Sequence, residues 1–206
     1  MTTATRYLYL ARHGEASQDE SELTEAGRRQ AGLLGVRLRG IPFTAVYHGP
    51  LARTTETARL VNEHLPDVRM RVDEIAGDYV PHVPDRDELP PEYREASARF
   101  FAQFSEEERE RGRALAEAAV RRFTGPADGA DTRHDLVITH NFLVGWLVRG
   151  ALDAPAWRWL SLNHGNAALT VIRYAPGRPS SILAYNDMGH LPVELRWTGF
   201  EPRQPW

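Results

Sequence analysis

Reactive side chains recur in this sequence at the points where apolar segments end. Five of them are of types that can handle a phosphoryl group: Arg12, His13, Arg53, Glu74 and His140. Arginine neutralises non-bridging phosphate oxygens, a neutral imidazole can attack phosphorus, and a carboxylic acid can protonate a leaving oxygen. Taken singly, each residue also has an ordinary interpretation as a hydrogen-bonded structural group or a surface charge. Their chemistry therefore depends on whether the fold brings them together.

Short apolar segments supply the elements that must position these residues. The predicted strands are residues 7–11, 43–48, 68–72, 134–140, 168–174 and 182–186. Helical spacing of apolar residues predicts helices at residues 24–40, 51–65, 93–104, 105–123 and 141–152. Because strands alternate with helices, we predict an α/β fold, a three-layer α/β/α sandwich with a mostly parallel central sheet.

The reactive residues would meet at one edge of this sheet. His13, Glu74 and His140 each lie at the carboxyl end of a predicted strand. Arg12 precedes His13 directly, and Arg53 lies in the first turn of the helix after the second strand. The carboxyl ends of parallel strands are where open α/β sheets bind their ligands. Convergence of these residue types at that edge indicates a phosphate pocket.

The chain length indicates one domain. At 206 residues, a single domain over residues 1–206 is the simplest organisation. A proline-rich, acidic loop after Gly77 introduces two helical patterns, which we interpret as a helical insertion at about residues 77–130, over the active-site edge. Ser105 with Glu108 three residues later is the spacing of a capping box and marks the start of the second helix. Aromatic residues recur in the first helix at helical spacing, which favours roles in the core of the insertion over ligand contacts.

Composition excludes several function classes. The chain has no cysteine, and all 25 of its basic residues are arginine, which removes thiolate chemistry and lysine Schiff bases. The net charge of −3 and the absence of a basic run argue against a nucleic-acid partner. No signal segment and no apolar run of roughly 18 residues is present, so we expect no membrane partner and a cytoplasmic location. No histidine pair has helical metal-ligand spacing, and we predict neither a metal nor another cofactor.

Four segments together resemble the histidine phosphatase superfamily, which includes the cofactor-dependent phosphoglycerate mutases. They are LARHGE at residues 10–15, LTEAGRRQA at 23–31, GPLARTTETA at 49–58 and VITH at 137–140. The segments occur in the family's order, and all four lie outside residues 77–130. The resemblance implies metal-independent phosphoryl transfer through a phosphohistidine.

Roles for individual residues follow from the resemblance. It implies that His13 is the nucleophile and that Arg12, Arg53 and His140 bind the phosphoryl oxygens. It also implies that Glu74 is the general acid, which later activates water as a carboxylate. The scheme requires a neutral His13, whose free pKa is about 6.5, and a Glu74 that stays partly protonated. We therefore expect activity to peak at acidic to neutral pH.

The identity of the acid has alternatives. Asn141 follows the second histidine, where the acid-phosphatase branch of the family carries an aspartate that serves as the acid. Since an amide cannot donate a proton usefully, the acid must come from elsewhere. Glu74 is favoured, and its neighbours Asp73 and Asp78 remain alternatives.

Three reactions are open to such a pocket. The favoured one is hydrolysis of a small phosphorylated metabolite. A phosphoglycerate mutase would need a basic segment for its anionic substrate, but the corresponding region is acidic, with Asp85, Asp87, Glu88, Glu92 and Glu95. A non-catalytic phosphate-binding protein is disfavoured because the nucleophile and its partners are all retained. The oligomeric state and the role of the tail at residues 191–206 do not follow from the sequence.

Overall fold

The computed structural model describes residues 2–198, so residues 199–206 of the C-terminal tail lie outside the described part. The strands are β1 (Thr3–Ala4), β2 (Arg6–Arg12), β3 (Ala45–His48), β4 (Met70–Val72), β5 (Ala127–Asp128), β6 (Arg133–Thr139), β7 (Leu169–Tyr174) and β8 (Ser181–Asp187). The α-helices are α1 (Glu25–Leu38), α2 (Ala52–Asn62), α3 (Arg94–Phe101), α4 (Glu106–Phe123) and α5 (Asn141–Ala151). Short 3₁₀ turns occupy Glu74–Ala76, Pro91–Tyr93, Ala156–Ser161 and Val193–Leu195.

Six strands form the central sheet in the order β4-β3-β6-β2-β7-β8. The first four are parallel, while β7 runs antiparallel to both β2 and β8. β1 and β5 form a separate two-stranded antiparallel sheet. The predicted α/β fold with a mostly parallel sheet is thus confirmed, and the sheet is mixed.

Helices cover both faces of the sheet. On one face, Leu8 and Leu10 of β2 share a buried cluster with side chains of α4 and α5. On the other, Ala11 shares a cluster with side chains of α1 and α2. Because helices cover both faces of β2, the five residues between its terminal arginines are all apolar or aromatic and lack the alternation of a half-exposed strand. These two clusters produce the three layers.

The predicted helix starts are present at α1 and α4. The Thr24 hydroxyl accepts a hydrogen bond from the Gly27 backbone N–H at 3.0 Å. At α4, Ser105 and Glu108 form both hydrogen bonds of a capping box. These caps satisfy amide groups that the first turn of a helix leaves without partners. They fix where each helix begins.

The region between β4 and β6 differs from a simple strand-to-helix connection. β4 ends at Val72, so Glu74 lies in the following 3₁₀ turn and does not end a strand. Asp73 caps this turn by accepting from the Ile75 N–H at 3.2 Å. The C-terminal half of α4 contributes Phe123 to the sheet core. The insertion boundaries at about residues 77 and 130 stay a prediction.

The aromatic residues of the region pack mainly with one another. Phe101 and Trp159 belong to one buried cluster, and Phe100, Phe104 and Phe142 contact it. This packing agrees with the core role expected from their spacing. Over residues 2–198, no helix combines the length and apolar character needed to cross a bilayer.

Candidate active site

His13 and His140 lie side by side because two parallel strands are in register. Arg12, the last residue of β2, pairs with Thr139, the last residue of β6. The next residue on each strand is a histidine, and the His13 N–H donates to the Thr139 carbonyl at 3.0 Å. The ring centroids of His13 and His140 are 5.1 Å apart. Strand register therefore brings together two residues that are 127 positions apart in the sequence.

The local contacts of His13 leave one ring nitrogen available for chemistry. Its Nδ1 is 2.7 Å from the Gly14 carbonyl oxygen. Since a carbonyl can only accept, Nδ1 carries the proton and the neutral ring has its lone pair on Nε2. The side chain is buried, and this burial, together with the charges of His140 and Arg12, lowers the pKa of His13 to about 2. His13 is consequently neutral at physiological pH.

His140 is the residue immediately before α5. It is 2% exposed, and neither ring nitrogen has a hydrogen-bond partner within residues 2–198. Its Nδ1 lies 3.4 Å from the Asp78 carboxylate. Burial lowers the pKa of His140 to about 3, and the charges of Arg53 and Arg12 act in the same direction. A buried polar ring of this kind is suited to contact a ligand.

Two guanidinium groups border the histidine pair. Arg53 lies in the first turn of α2 and is 5% exposed. Its Nη2 donates to Asp78 at 2.8 Å and is 3.1 Å from a carboxylate oxygen of Glu20. Arg12 donates from Nη1 to the His164 carbonyl at 2.9 Å. The sequence-predicted residues Arg12, His13, Arg53 and His140 are thus brought together.

The two candidate acids lie in different environments of one cleft. The Glu74 side chain is 67% exposed, and its carboxylate is 3.3 Å from Arg111 Nη2. Asp78 instead contacts Arg53 and His140 within the pocket. Loss of hydration there raises the pKa of Asp78 above its ordinary value, against an opposing effect of Arg53. Both carboxylates line a cleft of about 320 Å³.

Several supporting residues were not assigned from the sequence. Thr57 Oγ1 accepts from the Gly14 N–H at 3.0 Å and donates to the Arg53 carbonyl at 2.6 Å. The carboxylate of Glu20 reaches Arg53 from the loop before α1. For Thr57, the available signal was its position one helical turn after Arg53 on α2. For Glu20, the sequence contained no signal because the loop conformation decides its position.

His164 is a further buried group of the pocket. Its backbone N–H donates to the Asn141 side-chain oxygen at 2.9 Å. Burial and, to a lesser extent, the charge of Arg12 lower the pKa of His164 to about 3. The structure places His164 against Arg12, whose Nη1 donates to its carbonyl. Over residues 2–198, no group of three or more His, Asp or Glu side chains is arranged to hold a metal ion.

The pocket joins two buried, neutral imidazoles to two guanidinium groups at the carboxyl-end edge of a three-layer α/β fold. This combination defines a class of protein that can bind a phosphoryl group and attack it with a histidine. The chain belongs to the histidine phosphatase superfamily, branch 1, whose family model matches residues 8–187.

Relatives of the chain are named as phosphatases. It is 33% identical over 203 residues to "Serine/threonine-protein phosphatase Pgam5, mitochondrial" of Caenorhabditis elegans, which covers 92% of this chain and 66% of that protein. The human protein named PGAM5 is 28% identical over 202 residues, covering 93% of this chain and 65% of that protein. The chain thus spans slightly less than two thirds of the length of these relatives. Their names support the class of phosphoric monoester hydrolases.

Solved structures show the same fold. A phosphoglycerate mutase from Bacillus anthracis superposes with a TM-score of 0.65 at 20% identity, covering 91% of this chain and 96% of that one. Bacillus stearothermophilus YhfR superposes with a TM-score of 0.64 at 24% identity, covering 90% of this chain and 98% of that one. At such identities the likeness establishes the architecture and leaves the reaction to the site.

Proposed function

We propose that this chain hydrolyses phosphomonoesters through a phosphohistidine intermediate at His13, without a metal ion. The observation that carries the proposal is the contact of His13 Nδ1 with the Gly14 carbonyl, from which we assign the proton to Nδ1 and the lone pair that can attack phosphorus to Nε2. Burial maintains the neutral, nucleophilic form. Histidine is a competent nucleophile when it is neutral and fixed in one orientation.

The proposed reaction has two steps. In the first, His13 Nε2 bonds to phosphorus, the ester P–O bond breaks, and a carboxylic acid of the cleft gives its proton to the leaving oxygen. In the second, that carboxylate takes a proton from water, whose oxygen displaces His13 from phosphorus and releases phosphate. Arg12, Arg53 and His140 would stabilise the charge on the equatorial oxygens in both steps.

For the substrate, we propose a phosphorylated serine or threonine side chain within a peptide. The names of the C. elegans and human relatives support this class. The cleft beside Asp78 supports it as well, because its volume of about 320 Å³ exceeds what one phosphate needs. Its walls include the apolar Leu51 and Phe104 and the charged Glu108 and Arg111, which suits a peptide backbone with mixed side chains. The small phosphorylated metabolite expected from the sequence is the second candidate.

The mechanism can be tested with p-nitrophenyl phosphate in the presence of EDTA. We expect phosphate release by the wild type and an acid-labile phosphoenzyme on rapid quenching. The His13→Gln variant should lose both, with a fall in rate of at least about 10⁴-fold. His48→Gln is the matched control, because His48 is equally buried and has the same Nδ1 contact with the carbonyl of its following glycine, at 2.8 Å. Turnover that survives in His13→Gln, or that requires a metal, contradicts the proposal.

The substrate class can be tested by comparing kcat/KM across two panels. One contains phosphoserine, phosphothreonine and phosphohistidine peptides, and the other contains sugar phosphates, nucleotides and phosphoglycerates. We expect the phosphoserine or phosphothreonine peptides to exceed every metabolite by at least about tenfold, equivalent to 1.4 kcal/mol in transition-state binding. The reverse order would favour the metabolite, and transfer between the hydroxyls of phosphoglycerate without phosphate release would favour a mutase.

The cellular location is a separate proposal. We keep the cytoplasmic location expected from the sequence, whereas the names of the relatives include the word mitochondrial. Fractionation of cells that express the full-length protein, followed by immunoblotting against marker proteins, would decide between a cytoplasmic pool and an organelle-associated one.

A further inference from the structure

A second cavity lies at the edge of the sheet opposite the catalytic pocket. It has a volume of about 440 Å³, and its lining includes five arginines and two hydroxyl residues: Arg6, Thr44, Tyr47, Arg71, Arg121, Arg122 and Arg133. We call it the arginine cavity. Arg6 begins β2 and Arg133 begins β6, whereas His13 and His140 follow the other ends of these strands. A seven-residue strand spans roughly 20 Å, so the two sites are well separated.

Two of the arginines have structural roles that explain their presence. Arg6 Nη1 is 2.9 Å from the carboxylate of the fully buried Asp135, and its Nε donates to the Gly125 carbonyl at 3.0 Å. Arg133 Nε contacts the same carboxylate at 2.8 Å, and its Nη2 donates to the Tyr47 hydroxyl at 3.2 Å. One carboxylate is therefore shared by two guanidinium groups. The floor of the cavity retains a net positive charge.

The other three arginines are not explained by contacts of this kind. Arg71 makes no side-chain hydrogen bond or ion pair with any residue in the described range 2–198. The exposed Arg122 places its guanidinium carbon over the Tyr47 ring, 5.3 Å from the ring centroid. Arg121 has only a distant contact with Glu117, at 3.8 Å and on the surface. A single acidic residue, Asp128, is among the described residues that line the cavity.

The charge imbalance indicates what the cavity can bind. Guanidinium groups that face one another across a cavity repel, and a shared anion relieves that repulsion. Burial lowers the pKa of Arg6, with the carboxylate of Asp135 raising it and the charge of Arg133 lowering it, whereas the contacts with Asp135 raise the pKa of Arg133. Guanidinium pairs with phosphate oxygens in bidentate geometry, and the Thr44 hydroxyl adds a neutral donor. No histidine is found among the described residues that line the cavity, so the phosphohistidine chemistry proposed for the catalytic pocket has no counterpart among them.

We propose that the arginine cavity binds a small polyphosphorylated anion, such as the phosphate chain of a nucleotide, separately from the catalytic pocket. Its volume lies within the usual range of small-molecule pockets and exceeds the need of one phosphate. A nucleic acid is a poorer occupant because the site is a concave cavity and the whole chain carries a net charge of −3. A linear chain of phosphates matches the distribution of arginines between the floor and the rim.

The experiment measures tripolyphosphate binding by isothermal titration calorimetry at low salt. We use an Arg53→Ala background to weaken any competing event in the catalytic pocket. Tripolyphosphate is expected to bind the Arg53→Ala protein at least tenfold more tightly than monophosphate does. This binding should weaken as salt screens the charges. Adding Arg71→Ser and Arg122→Ser should weaken it at least tenfold. The Arg99→Ser/Arg113→Ser pair removes the same charge from exposed sites on α3 and α4, and we expect it to leave the affinity within twofold.

Two readouts keep the proposal independent of folding and of catalysis. Circular dichroism should show that both pairs remain folded. When Arg53 is left unsubstituted, the Arg71→Ser/Arg122→Ser variant should hydrolyse p-nitrophenyl phosphate at the wild-type rate. The proposal is overturned if tripolyphosphate does not bind in the Arg53→Ala background, or if both arginine pairs reduce its affinity equally, since nonspecific charge attraction would then account for the binding.

Discussion

At the scale of single residues, the proton donor is the least determined part of the site. Three carboxylates lie within six positions of one another, at Asp73, Glu74 and Asp78. Asp73 is engaged in capping the turn through the Ile75 N–H. Glu74 is exposed and lines the cleft, whereas Asp78 is held by Arg53. The exposed Glu74 side chain is free to turn toward a leaving oxygen. Asp78 instead occupies the position beside Arg53 where a bound phosphate would lie.

The roles of these two carboxylates can be separated by substituting each of them and comparing substrates whose leaving groups differ in their need for a proton. We expect Glu74→Gln to lower kcat for an alkyl phosphate by at least about 100-fold, because the alkoxide needs a proton. The same variant should change p-nitrophenyl phosphate hydrolysis far less, since that leaving group departs without protonation. Asp78→Asn should instead alter KM for both substrates through Arg53. If the leaving-group-dependent loss occurs in Asp78→Asn and not in Glu74→Gln, the acid is Asp78.

Thr57 links the nucleophile to the phosphate-binding arginine. Its hydroxyl accepts from the Gly14 N–H and donates to the Arg53 carbonyl, and the side chain is fully buried. Thr57→Val preserves the shape but leaves the buried Gly14 N–H without its partner and removes the side-chain bond to the Arg53 carbonyl, so we expect a loss of about 1–3 kcal/mol in the free energy of unfolding and a lower kcat. Thr57→Ser retains the hydroxyl and should restore most of the rate. Urea titrations and steady-state kinetics provide the measurements, and equal behaviour of the Val and Ser variants would refute the linking role.

The positions of His13 and His140 were predictable because each follows an apolar run that could only be a buried strand. Arg53 was predictable from its place in the first turn of a helix. The positions of the carboxylates of Asp78 and Glu20 beside Arg53 were not predictable. Both residues lie in loops whose conformation depends on distant contacts. His164 reaches Arg12 across 152 positions of sequence, and no local pattern encodes such a contact.

At the scale of elements, the approach of α1 to the loop after β2 fixes the direction of the nucleophile. A Cβ atom on Gly14 would lie 2.5 Å from the Gly27 carbonyl oxygen, and one on Gly27 would collide with the Glu15 carbonyl. Both backbones are therefore in direct contact.

Strand ends were less predictable than helix starts. β4 begins at Met70 and ends before Glu74, whereas the caps at Thr24 and Ser105 are encoded by local hydrogen bonds.

Two glycines on α1 provide a matched pair for testing this contact. Gly27→Ala should lower the free energy of unfolding by about 1–3 kcal/mol, because the added methyl group meets a backbone that cannot move without displacing His13. Gly32 has open space around its Cα, so Gly32→Ala should raise stability by up to about 1 kcal/mol through helix propensity. Chemical denaturation of both variants checks the difference. Equal effects from the two substitutions would show that the contact is not close.

At the scale of the whole molecule, the sheet separates two anion-binding regions. The catalytic pocket lies at the carboxyl ends of β2 and β6, and the arginine cavity lies at their amino ends. The alternation of strands and helices predicted the parallel part of the sheet. It did not predict that β7 runs antiparallel to its neighbours β2 and β8, because a buried apolar strand has the same pattern in either direction and only its long-range pairing decides.

Burial of three neutral histidines also makes the stability of the whole molecule depend on pH. Burial lowers the pKa of His13 to about 2 and those of His140 and His164 to about 3, against an ordinary value of about 6.5 in the unfolded chain. Between these limits the unfolded chain binds protons that the native protein does not, so stability rises with pH. Acidification from pH 7 to pH 5 should therefore destabilise the protein.

Each of these histidines can contribute up to about 1.4 kcal/mol per pH unit within that window. Asp78, whose pKa is raised, acts in the opposite direction at the acidic end, and Asp78→Asn removes its contribution. Urea unfolding at several pH values between 5 and 7 gives the slope of the free energy of unfolding. We expect a positive slope in the wild type and a reduced slope, by about one proton, in His164→Gln. A free energy of unfolding that stays constant or increases on acidification to pH 5 would mean that these rings are protonated in the native state, and a neutral nucleophile at His13 would no longer be tenable.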